Sequence, residues 1–299
     1  MTTTVTTSDG LKLAVHSAGD VAKPTVVLVH GFPDDHTAWD GIVERLADDH
    51  HAVTYDTRGA GASSKPGRIA DYRLDQLADD LQRVIDQVDS GDGVHLVGHD
   101  WGSVQAWHLV TDPGHRGVRS FTSISGPCID HVPGWVARKA KARRFRDIVA
   151  MWKSPLYMGF FSIPVLAPML ARLGLIDPTI RLSLKAFERP EQLSARPAGP
   201  SARRHAASIR IYAANVFPRL LNPVRGGTDV PVQVLAPQRD IFIPPVTQGD
   251  PHPGIRTFEI RGVPGGHWAP TYNPEAVAAP VRAWIERHAQ TSETEEAHR

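Results

Sequence analysis

The chain has 299 residues, is 41% hydrophobic and carries a formal net charge of +1. Near-neutral bulk charge gives no reason to expect a nucleic-acid partner, and one cysteine, Cys128, excludes a disulfide framework and a thiolate metal cluster. The length and composition suit one large α/β domain or a core domain with an insertion, and the N-terminal MTTTVTTSDG lacks the basic and apolar regions of a secretory leader, so a cytoplasmic protein is expected.

VTTSDGLKLAVHSAG reads as a hairpin turning at Ser8-Asp9-Gly10. TVVLVHG (25–31) is a continuous apolar run, the pattern of a strand buried on both faces. HTAWDGIVERLADDH follows with helical spacing at Trp39, Ile42, Val43 and Leu46, then HAVTYDT (51–57) as a strand. YRLDQLADDLQRVIDQV (72–88) predicts an amphipathic helix, with Leu74, Leu77, Leu81, Val84, Ile85 and Val88 on one stripe. VHLV (94–97) predicts a strand, Gly102 to about Thr111 a helix, and VRSFTSIS (118–125) the next strand. VPVQVLAP (230–237) and TFEIRG (257–262) are strand-like, and a last helix runs from about Pro274 to His288. Strands alternating with helices predict βαβ units and a mostly parallel sheet.

Residues 128–226 break the pattern. They hold 17 Lys and Arg against 5 Asp and Glu, whereas the rest of the chain holds 16 against 27. The expected organisation is a core in two parts, 1–127 and 227–289, a helical cap at 128–226 and a polar tail at 290–299. PLYMGFFSIPVLAPMLARLGLI (155–176) has the length of a membrane span, but Pro164, Pro168 and Arg172 argue against one. ARKAKARRFRDI (137–148) concentrates Arg138, Lys139, Lys141, Arg143, Arg144 and Arg146 beside that apolar run. Such a stretch is either a solvated helix face or a weak contact for an anionic membrane surface.

VHLVGHDWGSVQAW (94–107) carries the chemistry. Gly-x-nucleophile-x-Gly between a strand and a helix is a nucleophile elbow, here with Asp100 where a serine is usual. A carboxylate that attacks an ester yields an anhydride, no easier to hydrolyse. One that attacks an sp³ carbon yields an ordinary ester, which water cleaves. Aspartate at this place therefore points to epoxide opening or carbon–halogen cleavage, and the plain alternative is a helix cap. Ser103 lies beyond the elbow. The elbow logic orders nucleophile, acid and histidine along the chain, and Asp240 in VLAPQRDIFIPP and His267 in RGVPGGHWAP follow in that order. Asp130 is the rival for the acid. Backbone N–H groups of Trp101 and of Phe32, in LVHGFPDD, are the candidate oxyanion hole.

HGFPDD, YDTRGAGASS, GHDWGS, RDIFIPP and GGHW together resemble the epoxide hydrolase branch of the α/β-hydrolase superfamily, over nearly the whole chain. The resemblance implies an α/β-hydrolase fold with an inserted helical cap, and two cap tyrosines that hydrogen-bond the epoxide oxygen. SPLYMGFFSIP and SIRIYAANVF match those segments and give Tyr157 and Tyr212. Substrate contacts are then expected from Phe32, Trp101, Tyr157 and Tyr212, with an epoxide and water as the reactants and no metal or organic cofactor. Several segments are similar to the hydrolase half of actinobacterial, including mycobacterial, proteins, where it is in some cases fused to a short-chain dehydrogenase; no such half follows in these 299 residues. Haloalkane dehalogenases share the Asp-Trp elbow. Many carry Asn after His-Gly, where this chain has Phe32, and some use a cap Trp, for which Trp135 and Trp152 are available. A hydrolase-fold receptor is the non-enzymatic alternative.

Overall fold

The computed structural model describes residues 1–151, 153–188, 199–224, 226–249 and 254–289. Eight strands form one sheet: β1 (Thr2–Thr6), β2 (Lys12–Ala18), β3 (Thr25–Val29), β4 (His51–Tyr55), β5 (Val94–His99), β6 (Val118–Ile124), β7 (Val232–Pro237) and β8 (Phe258–Val263). Their order is β1-β2-β4-β3-β5-β6-β7-β8. The β1–β2 hairpin and the β2–β4 pair are antiparallel; every other pair is parallel.

The two-residue period of a strand explains why TVVLV is apolar throughout. Val27 and Val29 join one core with Leu81, Val84 and Ile85 of α2 (Leu74–Val88) and Trp107 of α3 (Trp101–Val110). Val26 and Leu28 face the other way, into a core with Ile42 and Leu46 of α1 (Asp40–Leu46) and Val277, Val281 and Ile285 of the C-terminal helix (Pro274–Ala289). Helices thus cover both faces of the sheet. The helical stretch predicted from residue 36 begins as a short 3₁₀ turn, His36–Trp39, and the strand predicted over 51–57 stops at Tyr55. Just beyond it the Asp56 carboxylate accepts the N–H of His36, at 2.9 Å.

Between β6 and β7 the chain leaves the sheet for α4 (Val132–Lys141), α5 (Phe145–Met151), α6 (Lys153–Phe161), α7 (Leu166–Arg172), α8 (Asp177–Phe187) and α9 (Arg210–Leu221). The apolar run at 155–176 is divided between α6 and α7. No single helix among the described residues is long and apolar enough to cross a membrane. Ala167, Ile180, Ile209 and Tyr212 of the inserted segment form a third core with Phe32, Trp101 and Trp268, which follow the C-terminal ends of the strands. That core fastens the insertion over the edge of the sheet where loops gather.

Candidate active site

Asp100 follows the last residue of β5 and precedes the first of α3, with φ 53° and ψ −126°. A non-glycine residue at positive φ is strained, and it persists only where its surroundings enforce it. Here a Cβ on Gly102 would lie 2.0 Å from the Val29 carbonyl oxygen, and one on Gly98 would lie 2.6 Å from the Ser103 Cα. The glycines of GHDWGS are therefore a steric requirement of the turn. Gly31 serves the same end from the loop after β3, where a Cβ would lie 2.3 Å from Asp100 Oδ1 and 2.6 Å from the Trp101 nitrogen. The close approach lets the Phe32 N–H donate to Asp100 Oδ1, at 2.9 Å.

The other carboxylate oxygen faces a histidine. His267 Nε2 lies 3.5 Å from Asp100 Oδ2, and His267 Nδ1 lies 3.1 Å from Asp240 Oδ2. Asp240 is buried and also accepts the N–H groups of Phe242 and Ile243, each at 2.9 Å, which fix it in the turn after β7. Burial works against the imidazolium, but the flanking Asp240 and Asp100 carboxylates outweigh it, and the His267 pKa is pushed up to about 10. Asp130, the rival for the acid, does not join this group, and neither does Ser103, which lies beyond the elbow. Asp130 is bound by Arg219, at 2.6 and 3.0 Å, and Ser103 Oγ donates to the Gly126 carbonyl at 2.6 Å.

Aromatic rings roof the carboxylate. Tyr212 packs edge-on to Trp101, Phe32 and Phe161, with ring centres 5.0, 5.8 and 5.2 Å apart, and Tyr157 stands 6.3 Å from Tyr212. Burial, reinforced by the Asp100 charge, raises both phenols well above the ordinary tyrosine range, so both remain protonated hydrogen-bond donors. A cavity of about 820 Å³, lined by Phe32, Asp100, Tyr157, Tyr212 and His267, opens from the carboxylate. A second, of about 460 Å³, lies on the other side, and Asp100 and Tyr157 line both. Trp135 lines neither, and Trp152 lies outside the described residues. All seven site residues named from the sequence, Phe32, Asp100, Trp101, Tyr157, Tyr212, Asp240 and His267, thus come together.

Three further residues hold the site and escape a reading of the sequence. Glu188, 3% exposed at the end of α8, accepts the N–H groups of Gly266 and Trp268, at 3.1 and 3.0 Å, on either side of His267. Nothing in the spacing of KAFERP announces a partner 78 residues away. The elbow residue His99 donates from Nε2 to the His267 carbonyl at 2.8 Å, and burial lowers its pKa. Asp34, in HGFPDD, accepts the Trp268 indole N–H at 2.9 Å. Among the described residues, one group has metal-ligating geometry, His16, His36 and Asp56, but both Asp56 oxygens already accept N–H groups and none of the three lines either cavity.

Residues 24–274 match the alpha/beta hydrolase fold family. The "Probable oxidoreductase EphD" of Mycobacterium tuberculosis is 37% identical over 290 residues, which cover 94% of this chain and 49% of that protein. The chain therefore spans about half the length of the curated relatives it matches. "Epoxide hydrolase A" of Mycobacterium tuberculosis is 38% identical over 123 residues, 41% of this chain and 38% of that protein. A solved epoxide hydrolase from metagenomes of hot environments superposes with a TM-score of 0.74 at 22% identity, covering 95% of this chain and 98% of its own. The Bacillus megaterium epoxide hydrolase in complex with an inhibitor superposes with a TM-score of 0.72 at 18% identity, covering 96% of this chain and 100% of its own. At such identities the likeness is one of fold. The family match runs from the start of β3 to the C-terminal helix, across the sheet and elbow described above, and this chain belongs to the alpha/beta hydrolase fold family.

Proposed function

We propose that the chain is an epoxide hydrolase, converting a lipophilic epoxide to a vicinal diol through an ester on Asp100. The observation that carries this reading is the Asp100 carboxylate itself. One oxygen accepts a backbone N–H, the other faces His267, and two protonated phenols stand over it in an apolar cavity. In a serine hydrolase the oxyanion donors hold an oxygen of the substrate. Here the Phe32 N–H holds an oxygen of the enzyme's own carboxyl group, as required when the tetrahedral centre forms at Asp100 Cγ.

In the first step the carboxylate attacks an epoxide carbon and the carbon–oxygen bond breaks. The developing alkoxide takes a proton from Tyr157 or Tyr212. That phenol regains its proton from the His267 imidazolium, which loses one of its two stabilising charges as Asp100 is esterified. Neutral His267 then takes a proton from water, and hydroxide adds to Asp100 Cγ. Collapse releases the diol alkoxide, which takes the proton of the newly formed carboxylic acid. Asp100 returns as carboxylate and His267 as imidazolium. The insertion acts as a cap that brings the tyrosines over the nucleophile. Two apolar chambers meeting at Asp100 suit an epoxide with an apolar substituent on each side. Sequence similarity to "Epoxide hydrolase A" supports the same reading.

The test is mass spectrometry of His267→Gln after incubation with an epoxide. The expected result is an adduct of substrate mass on the peptide containing Asp100, with diol formed only by the parent. An adduct elsewhere, or diol formation by Asp100→Ala, defeats the proposal; halide release from a haloalkane without diol formation replaces it with a dehalogenase.

A further inference from the structure

Among the described residues sixteen large apolar side chains are exposed, and thirteen of them lie between Phe145 and Val224, in the inserted segment. They are arranged by helix period. Phe145 and Val149 are one turn apart on α5, and Leu156 and Phe160 one turn apart on α6. Ile163 and Val165 follow in the turn before α7, with Val165 78% exposed. These elements are neighbours, since α6 packs against α5, α7 and α9. Exposed apolar area on this scale marks a contact surface.

Two observations say what the surface meets. Phe160, Leu175 and Leu182 are exposed and also line the larger cavity, so the apolar face continues into its mouth. The face is also cationic: Lys141, Arg143, Arg144 and Arg146 are exposed beside Phe145, and Arg172, Arg181 and Lys185 beside Leu173 and Leu182. A second copy of the chain would bring like charge against like, and a polyanion alone would leave the apolar side chains in water. An anionic bilayer satisfies both, accepting apolar side chains at the headgroup boundary and placing phosphates beside the cations.

We propose that the inserted helices form a docking face for anionic bilayer surfaces, with the cavity mouth turned toward the lipid. The contact lies on the membrane and does not span it, in keeping with the absence of any single helix among the described residues long and apolar enough to cross. A substrate dissolved in the bilayer then reaches Asp100 without passing through water.

The test is co-sedimentation of the full chain with vesicles of phosphatidylcholine, with and without one third phosphatidylglycerol. Binding is expected only with the anionic lipid, and is expected to weaken roughly tenfold between low (about 20 mM) and physiological (about 150 mM) salt. Lys141→Gln/Arg143→Gln/Arg146→Gln removes charge from exposed residues that line neither cavity, and is expected to lower binding roughly tenfold at low salt. Leu156→Ser/Val165→Ser is expected to lower it at both salt concentrations. Both variants should turn over a small soluble epoxide at the parental rate. No sedimentation of the parent at low salt overturns the proposal, as does equal binding to neutral vesicles. A parental dimer abolished by Leu156→Ser/Val165→Ser, without vesicle binding, assigns the face to a second copy instead. Sedimentation reads binding alone, so its failure leaves the epoxide reading untouched, and an inert protein that sediments leaves the docking face untouched.

Discussion

His267 sits between two carboxylates, and its proton is held by both. Because its folded pKa is raised to about 10 from an ordinary 6.5, the stability that it contributes is fully present below pH 6.5 and is lost as pH rises through about 10. Within that window the contribution falls by about 1.4 kcal/mol per pH unit. Denaturant midpoints measured from pH 7 to 9.5 should therefore decline more steeply for the parent than for His267→Gln; parallel slopes would show that the imidazole is not held as an ion. The tyrosines give a second prediction. Tyr157→Phe or Tyr212→Phe should each leave partial epoxide turnover, because one phenol still reaches the oxygen. The double variant should lose most of it, since a hydrogen bond to a charged oxygen is worth about 1.5–3 kcal/mol. Steady-state diol production decides this, and parental turnover in the double variant would remove the tyrosines from the mechanism.

The loop DTRGAGASS, after β4, shows how elements support a site that they do not touch. The Thr57 N–H donates to His30 Nε2 at 3.0 Å, and His36 Nδ1 donates to Asp56 at 2.8 Å, so this loop braces the one that carries the Phe32 N–H. Arg58 anchors it. Its fully buried guanidinium grips both Asp80 oxygens, at 2.6 and 2.7 Å, and reaches Asp9 and the Asp71 carbonyl. Burial raises the Asp80 pKa even against that partner. Arg58→Ala leaves Asp80 unpaired in the interior and should destabilise the fold by about 3–5 kcal/mol in urea titration. Arg58→Ala/Asp80→Ala should recover part of that loss, and a double variant at least as unstable as the single would contradict the pairing. The elements were legible because each strand and helix carries its own period. The motif glycines were legible because a tight turn leaves no room for Cβ. Arg58 was visible within YDTRGAGASS, but its partners come from β1–β2 and α2, a meeting that no local pattern encodes.

Across the whole molecule the catalytic candidates were legible because α/β topology delivers strand ends to one edge in a known order, and Asp100, Asp240 and His267 follow three of them. The inserted segment was legible in composition but not in shape. Its basic excess can be counted in the sequence, whereas the two chambers meeting at Asp100 arise from the packing of helices on three different loops. Glu188 belongs to this second class, and its placement has a mechanical consequence. The carboxylate rides on the end of α8, at the wall of the larger cavity, yet both of its oxygens are spent on the backbone beside His267. A displacement of α8 that lifted Glu188 would withdraw those two acceptors and slacken the loop that holds His267. The wall of the cavity and the bearing of the imidazole are thus coupled through one side chain.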